Sequence, residues 1–363
     1  MMNQKVKNHK NTIMLNEYAS ILQTWALAHP RPMPWKGISD PYRIWLSEII
    51  LQQTRVEQGL PYYERFVAAY PTISDLAAAP LDDIYKLWEG LGYYSRARNM
   101  YAAAQSVLKE HHGEFPTQYK DIRALKGVGD YTAAAIASFA YNLPYAVLDG
   151  NVYRVLSRWF GLDTPIDSTM GKQVFGQLAN ELLDAAQPAL HNQAMMDFGA
   201  TWCTPKQPHC ADCPFQSRCK AFQDNMVQNL PVKSKKMVKK ERFFLYLVFK
   251  KNGQTFLRKR TAKDIWQNLW EFPCIEPETL PTDLDTANEI IFDYFPSKKP
   301  LKTTQISKVF QQTLTHRWVS AVFVEAEIED INDWAADCSP TAWEGDLEGM
   351  TVPRIIEWYW KDP

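Results

Sequence analysis

The chain has 363 residues, long enough for two or three domains, and its 46% of hydrophobic residues can build a sizeable core. No apolar run reaches the length that spans a bilayer. No signal-type apolar stretch follows the basic Lys5, Lys7, His9 and Lys10, so a soluble cytoplasmic protein is expected. The formal net charge of −1 excludes a uniformly basic nucleic-acid binder, yet it hides an asymmetry. Residues 276–348 hold 15 acids and 5 bases, which leaves 35 bases against 26 acids elsewhere. A basic body with an acidic C-terminal part fits a local DNA-binding face.

The first two-thirds reads as helices. Asn16 to His29 is amphipathic, and a stiff Pro-rich loop, Pro30 to Trp35, follows it. Pro41 to Thr54 is apolar on most sides and is predicted to be buried. Short helices follow over Gly59–Tyr70, Thr72–Ala78 and Leu81–Trp88. After the Gly90–Tyr94 loop comes a longer helix, Ser95–His112, with Arg96 and Arg98 in its first turn. Cations there oppose the helix dipole, a misfit that suits a phosphate contact. Helices from Asn151, Gly171 and Gln187 lead to a cysteine cluster. Asp224 to Lys240, with five lysines and few apolar residues, reads as an exposed linker. Beyond it the period changes to two. Strands are predicted over Phe243–Lys250 and Thr255–Lys259 around an Asn252-Gly253 turn, and over Ile306–Thr313 and Trp318–Glu327. Helices are predicted over Ala287–Tyr294 and Val352–Trp360. The expected domains are 1–223, helical; 224–240, linker; and 241–363, α+β.

Three features carry chemistry. From Arg123 to Asn151 a short helix ends near Gly127, and Asp130 reads as the N-cap of the next. Gly127, Val128 and Gly129 allow a tight turn whose amides favour an anion such as phosphate. The second feature is Cys203, Cys210, Cys213 and Cys219, spaced C-x6-C-x2-C-x5-C. Four thiols within so short a stretch, with a single CxxC, suit one 4Fe–4S cubane better than a zinc site. Cys274 and Cys338 read as ordinary buried thiols. The third feature is a pair of acids. Glu48 lies on the apolar helix, where desolvation would raise its pKa and make it a general acid; a solvent-facing stripe is the plainer alternative. Asp149 stands at a helix N-terminus, where the dipole favours the anion. One neutral and one ionised carboxyl are what glycosidic-bond cleavage needs.

The hairpin, Asp149 and the cysteines, in this order over residues 15–222, resemble the helix-hairpin-helix DNA glycosylases of the endonuclease III superfamily. The resemblance implies a multidomain chain: an all-α glycosylase domain of two lobes with one 4Fe–4S cluster, followed by a second domain. It also implies double-stranded DNA as partner, a hairpin that holds phosphates, and a catalytic Asp149. Bifunctional members carry a nucleophilic lysine where this chain has Tyr131, so lyase chemistry by that route is not expected. Ser47-Glu48-Ile49-Ile50-Leu51-Gln52-Gln53-Thr54, the 90–98 stretch and Leu148-Asp149-Gly150-Asn151-Val152 are similar to the adenine-glycosylase branch.

That branch implies hydrolysis of adenine opposite 8-oxoguanine or guanine. Glu48 would protonate N7, Asp149 would stabilise or bond the oxocarbenium ion, and Tyr131 and Asn151 would steady the two acids. Arg31 and Trp35 would line the adenine pocket, Gln53 and Tyr93 would fill the opened base stack, and Leu91 would contact the DNA. Asn268-Leu269-Trp270-Glu271-Phe272-Pro273 resembles a Nudix strand, but residues 274–284 lack the Nudix metal box. The α+β domain is thus a Nudix-like fold expected to read 8-oxoguanine through Leu314-Thr315-His316, with Leu where the family has Phe. A monomer associated with the nucleoid is expected. The rival readings are a lyase for oxidised pyrimidines and a non-catalytic iron–sulfur DNA-binding protein.

Overall fold

The computed structural model describes residues 15, 17–234, 238–296, 298, 301–334, 339–342 and 349–363. Lys5, Lys7, His9, Lys10, Asn16, Lys235, Lys236 and Cys338 lie outside them. The chain forms two compact units. One takes the chain up to Ala78 and from Asn99 to the linker; the other takes Ala79–Arg98 and the chain beyond the linker. None of the described helices is long and apolar enough to cross a membrane.

Helices α1 (17–28), α2 (Pro41–Leu51), α3 (Val56–Ala69) and α4 (Ile73–Ala78) open the first unit. Asp40 caps α2 by accepting from the amides of Tyr42 (2.9 Å) and Arg43 (3.3 Å), and Pro41 supplies a preset first turn. Ile44, Trp45, Leu46, Ile49 and Ile50 bury the helix on most sides. It stops at Leu51, three residues short of the expected end, and Gln53 then adopts a left-handed φ of 55°.

Helix α5 (Leu81–Trp88) belongs to the second unit, and α6 (Ser95–Glu110) runs from that unit into the first. Next come α7 (Tyr119–Ala124), α8 (Asp130–Tyr141), α9 (Gly150–Phe160), α10 (Thr169–Leu182), α11 (Pro188–Asp197) and the short α12 (Lys220–Gln223). Their core is aromatic. The Trp159 and Phe215 rings lie 4.0 Å apart, with Phe198 and Tyr18 packed on them. Residues 224–234 are mostly exposed but touch this unit at intervals. Leu230 is buried in this core, Ile166 donates to Val232 (3.0 Å), and Ser234 donates to Asp167 (2.9 Å).

The second unit is a mixed sheet with a helix on each face. Its strands are β1 (Lys240–Lys251), β2 (Gln254–Lys259), β3 (Trp270–Glu271), β4 (Cys274–Ile275), β5 (Lys302–Ile306), β6 (Phe310–Thr313), β7 (Arg317–Glu327) and β8 (Ser339–Ala342). The main order is β3-β2-β1-β7-β5. β1 and β7 pair in parallel from Lys240–Arg317 to Lys250–Glu327. The hairpin stands where expected: Asn252 and Gly253 both have positive φ, as a type I′ turn requires. The strand expected over 306–313 is broken at 307–309 into β5 and β6.

Alternation sorts β1 between two cores. Phe244, Tyr246 and Val248 face α14 (Arg354–Lys361), while Leu245, Leu247 and Phe249 face α13 (Leu284–Tyr294). Among the described residues, Arg260 Nη1 and Glu271 form a buried ion pair at 2.9 Å, and Arg260 Nη2 also meets Asp264 (3.1 Å) and Glu276 (3.3 Å). Removing Glu271 leaves Nη1 without its buried acceptor, which costs about 1–3 kcal/mol. Glu271→Leu is therefore expected to lower the urea midpoint of the sheet unit, followed by its near-ultraviolet dichroism, while the helical unit keeps its own.

Candidate active site and DNA interface

A cavity of about 810 Å³ in the helical unit gathers Glu48, Tyr131, Asp149, Asn151, Arg31, Trp35 and Gln53. The sequence places these residues on separate helices and loops; the fold brings them to one site. Glu48 comes from the buried face of α2, not from a solvent stripe, and is 9% exposed. Burial pushes its carboxyl from 4.5 up to about 7. A hydrogen bond from Tyr131 opposes that push, and the charge of Asp149 adds to it. Such a shift is worth roughly 3 kcal/mol of preference for the protonated form.

Asp149 caps α9 as expected, accepting from the Val152 amide at 2.7 Å and from Asn151 Nδ2 at 2.6 Å. The expectation that the helix end would hold it more acidic than usual is not met. Burial raises its pKa and outweighs the pull of Val152, Asn151 and Arg154. Sequence reasoning missed Arg154. Its guanidinium donates to Asn151 Oδ1 (2.9 Å), to the Gly199 carbonyl (2.7 Å) and to the Cys203 carbonyl (2.8 Å). It thereby ties the first turn of α9 to the cysteine loop. An arginine four residues into a helix carries no sequence signal for that role.

The rim of the cavity is also polar. Lys36 Nζ donates to both carboxylate oxygens of Asp197 (2.8 and 2.7 Å) and to the Arg31 carbonyl (2.8 Å). Arg31 and Gln193 reach the same carboxylate at 3.3 and 3.2 Å. Trp35 packs edge-on against Tyr63, with centroids 5.0 Å apart.

The glycine turn joins α7 to α8, but its cap differs from expectation. Gly129 is the N-cap and Asp130 the first helical residue, and Asp130 pairs instead with Arg123 Nε at 2.6 Å. Only Gly127 has a left-handed backbone (φ 81°), and a Cβ there would lie 2.8 Å from Asn99 Cβ. Gly129 faces open space and is exposed, while Val128 is buried and anchors the turn.

The four cysteines line one small cavity together with Arg158, Trp202 and His209. Among the described residues, no three His, Cys, Asp or Glu side chains are close enough to hold a single metal ion. Burial raises the thiols of Cys210 and Cys219 and takes Cys213 to about 12. Arg158, unremarked in the sequence, donates to Cys203 Sγ at 3.4 Å. Beside the cysteines, Arg218 pairs with Glu17 and Lys220 with Asp224.

In the sheet unit a cavity of about 470 Å³ brings Leu91 and Tyr93 together with Leu314, Thr315 and His316. Tyr93 has a left-handed φ of 48° and is exposed; Leu91 is buried beneath it. Trp266, missed in the sequence, joins this lining with φ 61°, a strained value for a bulky residue. Arg96 is not a phosphate ligand. It is buried, donates to the Leu91 and Gly92 carbonyls (3.3 and 3.2 Å) and lies over the Trp88 ring. Cys274 is half-buried beside Arg260, and burial pushes its thiol to about 12.

A Cβ on Gly199 would come within 2.7 Å of Asn151 Cβ and 3.0 Å of its carbonyl oxygen, so Gly199→Ala has to displace the start of α9. A loss of about 1–3 kcal/mol is expected by chemical denaturation. Gly176→Ala, whose nearest atom is Leu148 Cδ1 at 3.9 Å, is the control and is expected to cause no loss.

Comparison with known proteins agrees with this architecture. The profile of the HhH-GPD superfamily base excision DNA repair proteins matches residues 46–177, and a NUDIX domain matches 245–361. An adenine DNA glycosylase of Buchnera aphidicola subsp. Schizaphis graminum is 34% identical over 277 residues, covering 76% of this chain and 80% of that one. The adenine DNA glycosylase of Mus musculus is 40% identical over 215 residues, covering 57% of this chain and 42% of that one. Among solved structures, a thermostable thymine-DNA glycosylase superposes with a TM-score of 0.54 at 28% identity, over 58% of this chain and 97% of that one. A non-covalent endonuclease III–DNA complex shares the fold at a TM-score of 0.51 and 21% identity, over 58% of this chain and 98% of that one. An HhH-GPD body followed by a NUDIX-type sheet, with such identity over most of a relative's length, means that the chain belongs to the adenine DNA glycosylase family.

Proposed function

We propose that the chain hydrolyses the N-glycosidic bond of adenine opposite 8-oxoguanine, and less efficiently opposite guanine, in duplex DNA, leaving the strand intact. The observation that carries this reading is Glu48: a buried carboxyl with a pKa near 7 in one cavity with a second carboxyl. Adenine leaves poorly as an anion. Glu48, protonated near neutral pH, gives N7 its proton and lets a neutral base depart. Asp149, ionised, stabilises or transiently bonds the oxocarbenium carbon. Tyr131 holds Glu48 through its hydroxyl, and Asn151, itself held by Arg154, holds Asp149. Water then completes the hydrolysis. Arg31 and Trp35 line the adenine side of the cavity.

DNA is gripped at the Gly127-Val128-Gly129 turn, where the amides opening α8 face a phosphate. Gln53 and Tyr93 enter the base stack. Their left-handed backbones, φ 55° and 48°, support this reading. Thr315 and His316 read 8-oxoguanine in the sheet unit, and Leu91 belongs to the DNA-binding set beside Tyr93. The division of labour follows a glycosylase domain over 1–223, a basic linker over 224–240 and a recognition domain over 241–363, acting as a monomer.

Cys203, Cys210, Cys213 and Cys219 would hold a 4Fe–4S cluster. All four thiols line one cavity, which supports this reading, and four thiolates are the donor set such a cluster takes. The bound cluster supplies a rigid cross-link for the 203–219 loop, whose Cys203 carbonyl receives Arg154.

Single-turnover release of adenine from an A:8-oxoguanine duplex, with hot alkali cutting the abasic product, tests the reading. Strand breaks are expected only after alkali, and faster than from A:G. The rate should fall as pH rises through about 7, where Glu48 loses its proton, and fall again in acid as Asp149 gains one. Glu48→Gln should reduce it at least about 100-fold, the scale of a lost general acid. Undiminished release by that variant, or no alkali-dependent break with the unaltered chain, refutes the reading.

A further inference from the structure

We propose that Lys36 captures the abasic product as a reversible imine, a role that rests on the glycosylase reading above. Base removal leaves a sugar whose C1′ is an aldehyde in its ring-opened form. Lys36 shares the cavity of Glu48 and Asp149 and is the one lysine among its lining residues. Its side chain is 14% exposed, so it is sheltered from bulk water. The turn that carries it is fixed, because the Lys36 amide donates to the Met33 carbonyl at 3.0 Å.

Attack by an amine needs a lysine that can shed its proton and an acceptor to take it. Both are in place. Burial lowers the pKa of Lys36, the nearby Arg31 charge lowers it further, and only Asp197 resists. Asp197 is in contact with Nζ at 2.7 Å and can accept the proton. Losing the ammonium would not strand that carboxylate, since Arg31 Nη1 and Gln193 Nε2 also reach it. Tyr131, at the position where the bifunctional relatives named in the sequence resemblance carry lysine, cannot form an imine.

The steps balance. Lys36 gives one proton to Asp197, and its nitrogen lone pair bonds C1′ as the carbonyl π pair moves to oxygen. The resulting carbinolamine takes the proton back on oxygen and expels water. The product is a protonated imine with no net redox change. No C2′ proton is removed, so the 3′ phosphate stays and the strand remains whole. Water reverses the bond and frees the abasic site. The reaction that must consume this product is hydrolytic cleavage of the backbone beside an abasic site, and the imine shields the aldehyde until then.

The test supplies the product directly, so adenine removal plays no part in it. The full chain is incubated with a duplex carrying a preformed natural abasic site opposite 8-oxoguanine, and sodium borohydride, the added reductant, delivers hydride to C1′ of any imine. Peptide mapping of the trapped adduct is expected to place it on Lys36. Lys36→Arg keeps a cation beside Asp197 but forms no imine, and should lower the trapped yield at least about tenfold. Lys172→Arg, on the exposed face of α10, should leave the yield within twofold. Thermal melting of Lys36→Arg confirms that its loss is not unfolding. Mapping to another amine, or no adduct on a duplex that a gel shift shows to be bound, overturns the proposal while leaving adenine removal intact. Failure to bind the duplex at all overturns both.

Discussion

The protein depends most on a carboxyl placed where a carboxylate is expensive. Helix α2 is buried by Ile44, Trp45, Leu46, Ile49 and Ile50, and those same residues carry Glu48 out of water. The packing that stabilises the helix is therefore what raises the acid. Tyr131 reaches Glu48 from α8, the helix packed beside α2, so the hairpin that precedes α8 and the acid on α2 are parts of one arrangement. The proposed chemistry rests on this coupling of core and site.

A second coupling runs through Arg154. One guanidinium reaches Asn151, Gly199 and the Cys203 carbonyl, and Asn151 reaches Asp149. The cysteine loop and the turn that carries Asp149 are thus three hydrogen bonds apart. Gly199 makes room for this by admitting the backbone of Asn151 where any side chain would collide. The cysteine loop is in this way linked by hydrogen bonds to the carboxylate at the start of α9.

The sequence revealed what local chemistry controls. Asp149 before Gly150 is a capping residue in any context, and Asn252-Gly253 between alternating strands dictates a type I′ hairpin. Where two local solutions compete, tertiary contacts decide. Asp130 has a good N-cap profile, yet Arg123 takes its side chain and Gly129 becomes the cap. Arg96 looked like a cation at the wrong end of a helix, but it turns inward and staples the 91–92 carbonyls. Helix polarity likewise suggested an acidic Asp149, and burial, which a sequence does not display, reversed the direction. Arg154, Arg158, Lys36 and Trp266 were illegible for a common reason. Each matters through partners far away in the chain, and nothing in its own neighbourhood marks it.

The central claim is that the Glu48 carboxyl is still protonated near neutral pH in the folded protein. Its titration can be followed directly by carbon-13 NMR of glutamate side-chain carboxyls, assigned by comparison with Glu48→Gln, in the full chain without DNA. A midpoint near 7 is expected. A midpoint in the ordinary carboxylate range, near 4.5, would contradict the account, because an acid already ionised at neutral pH has no proton to give the departing base.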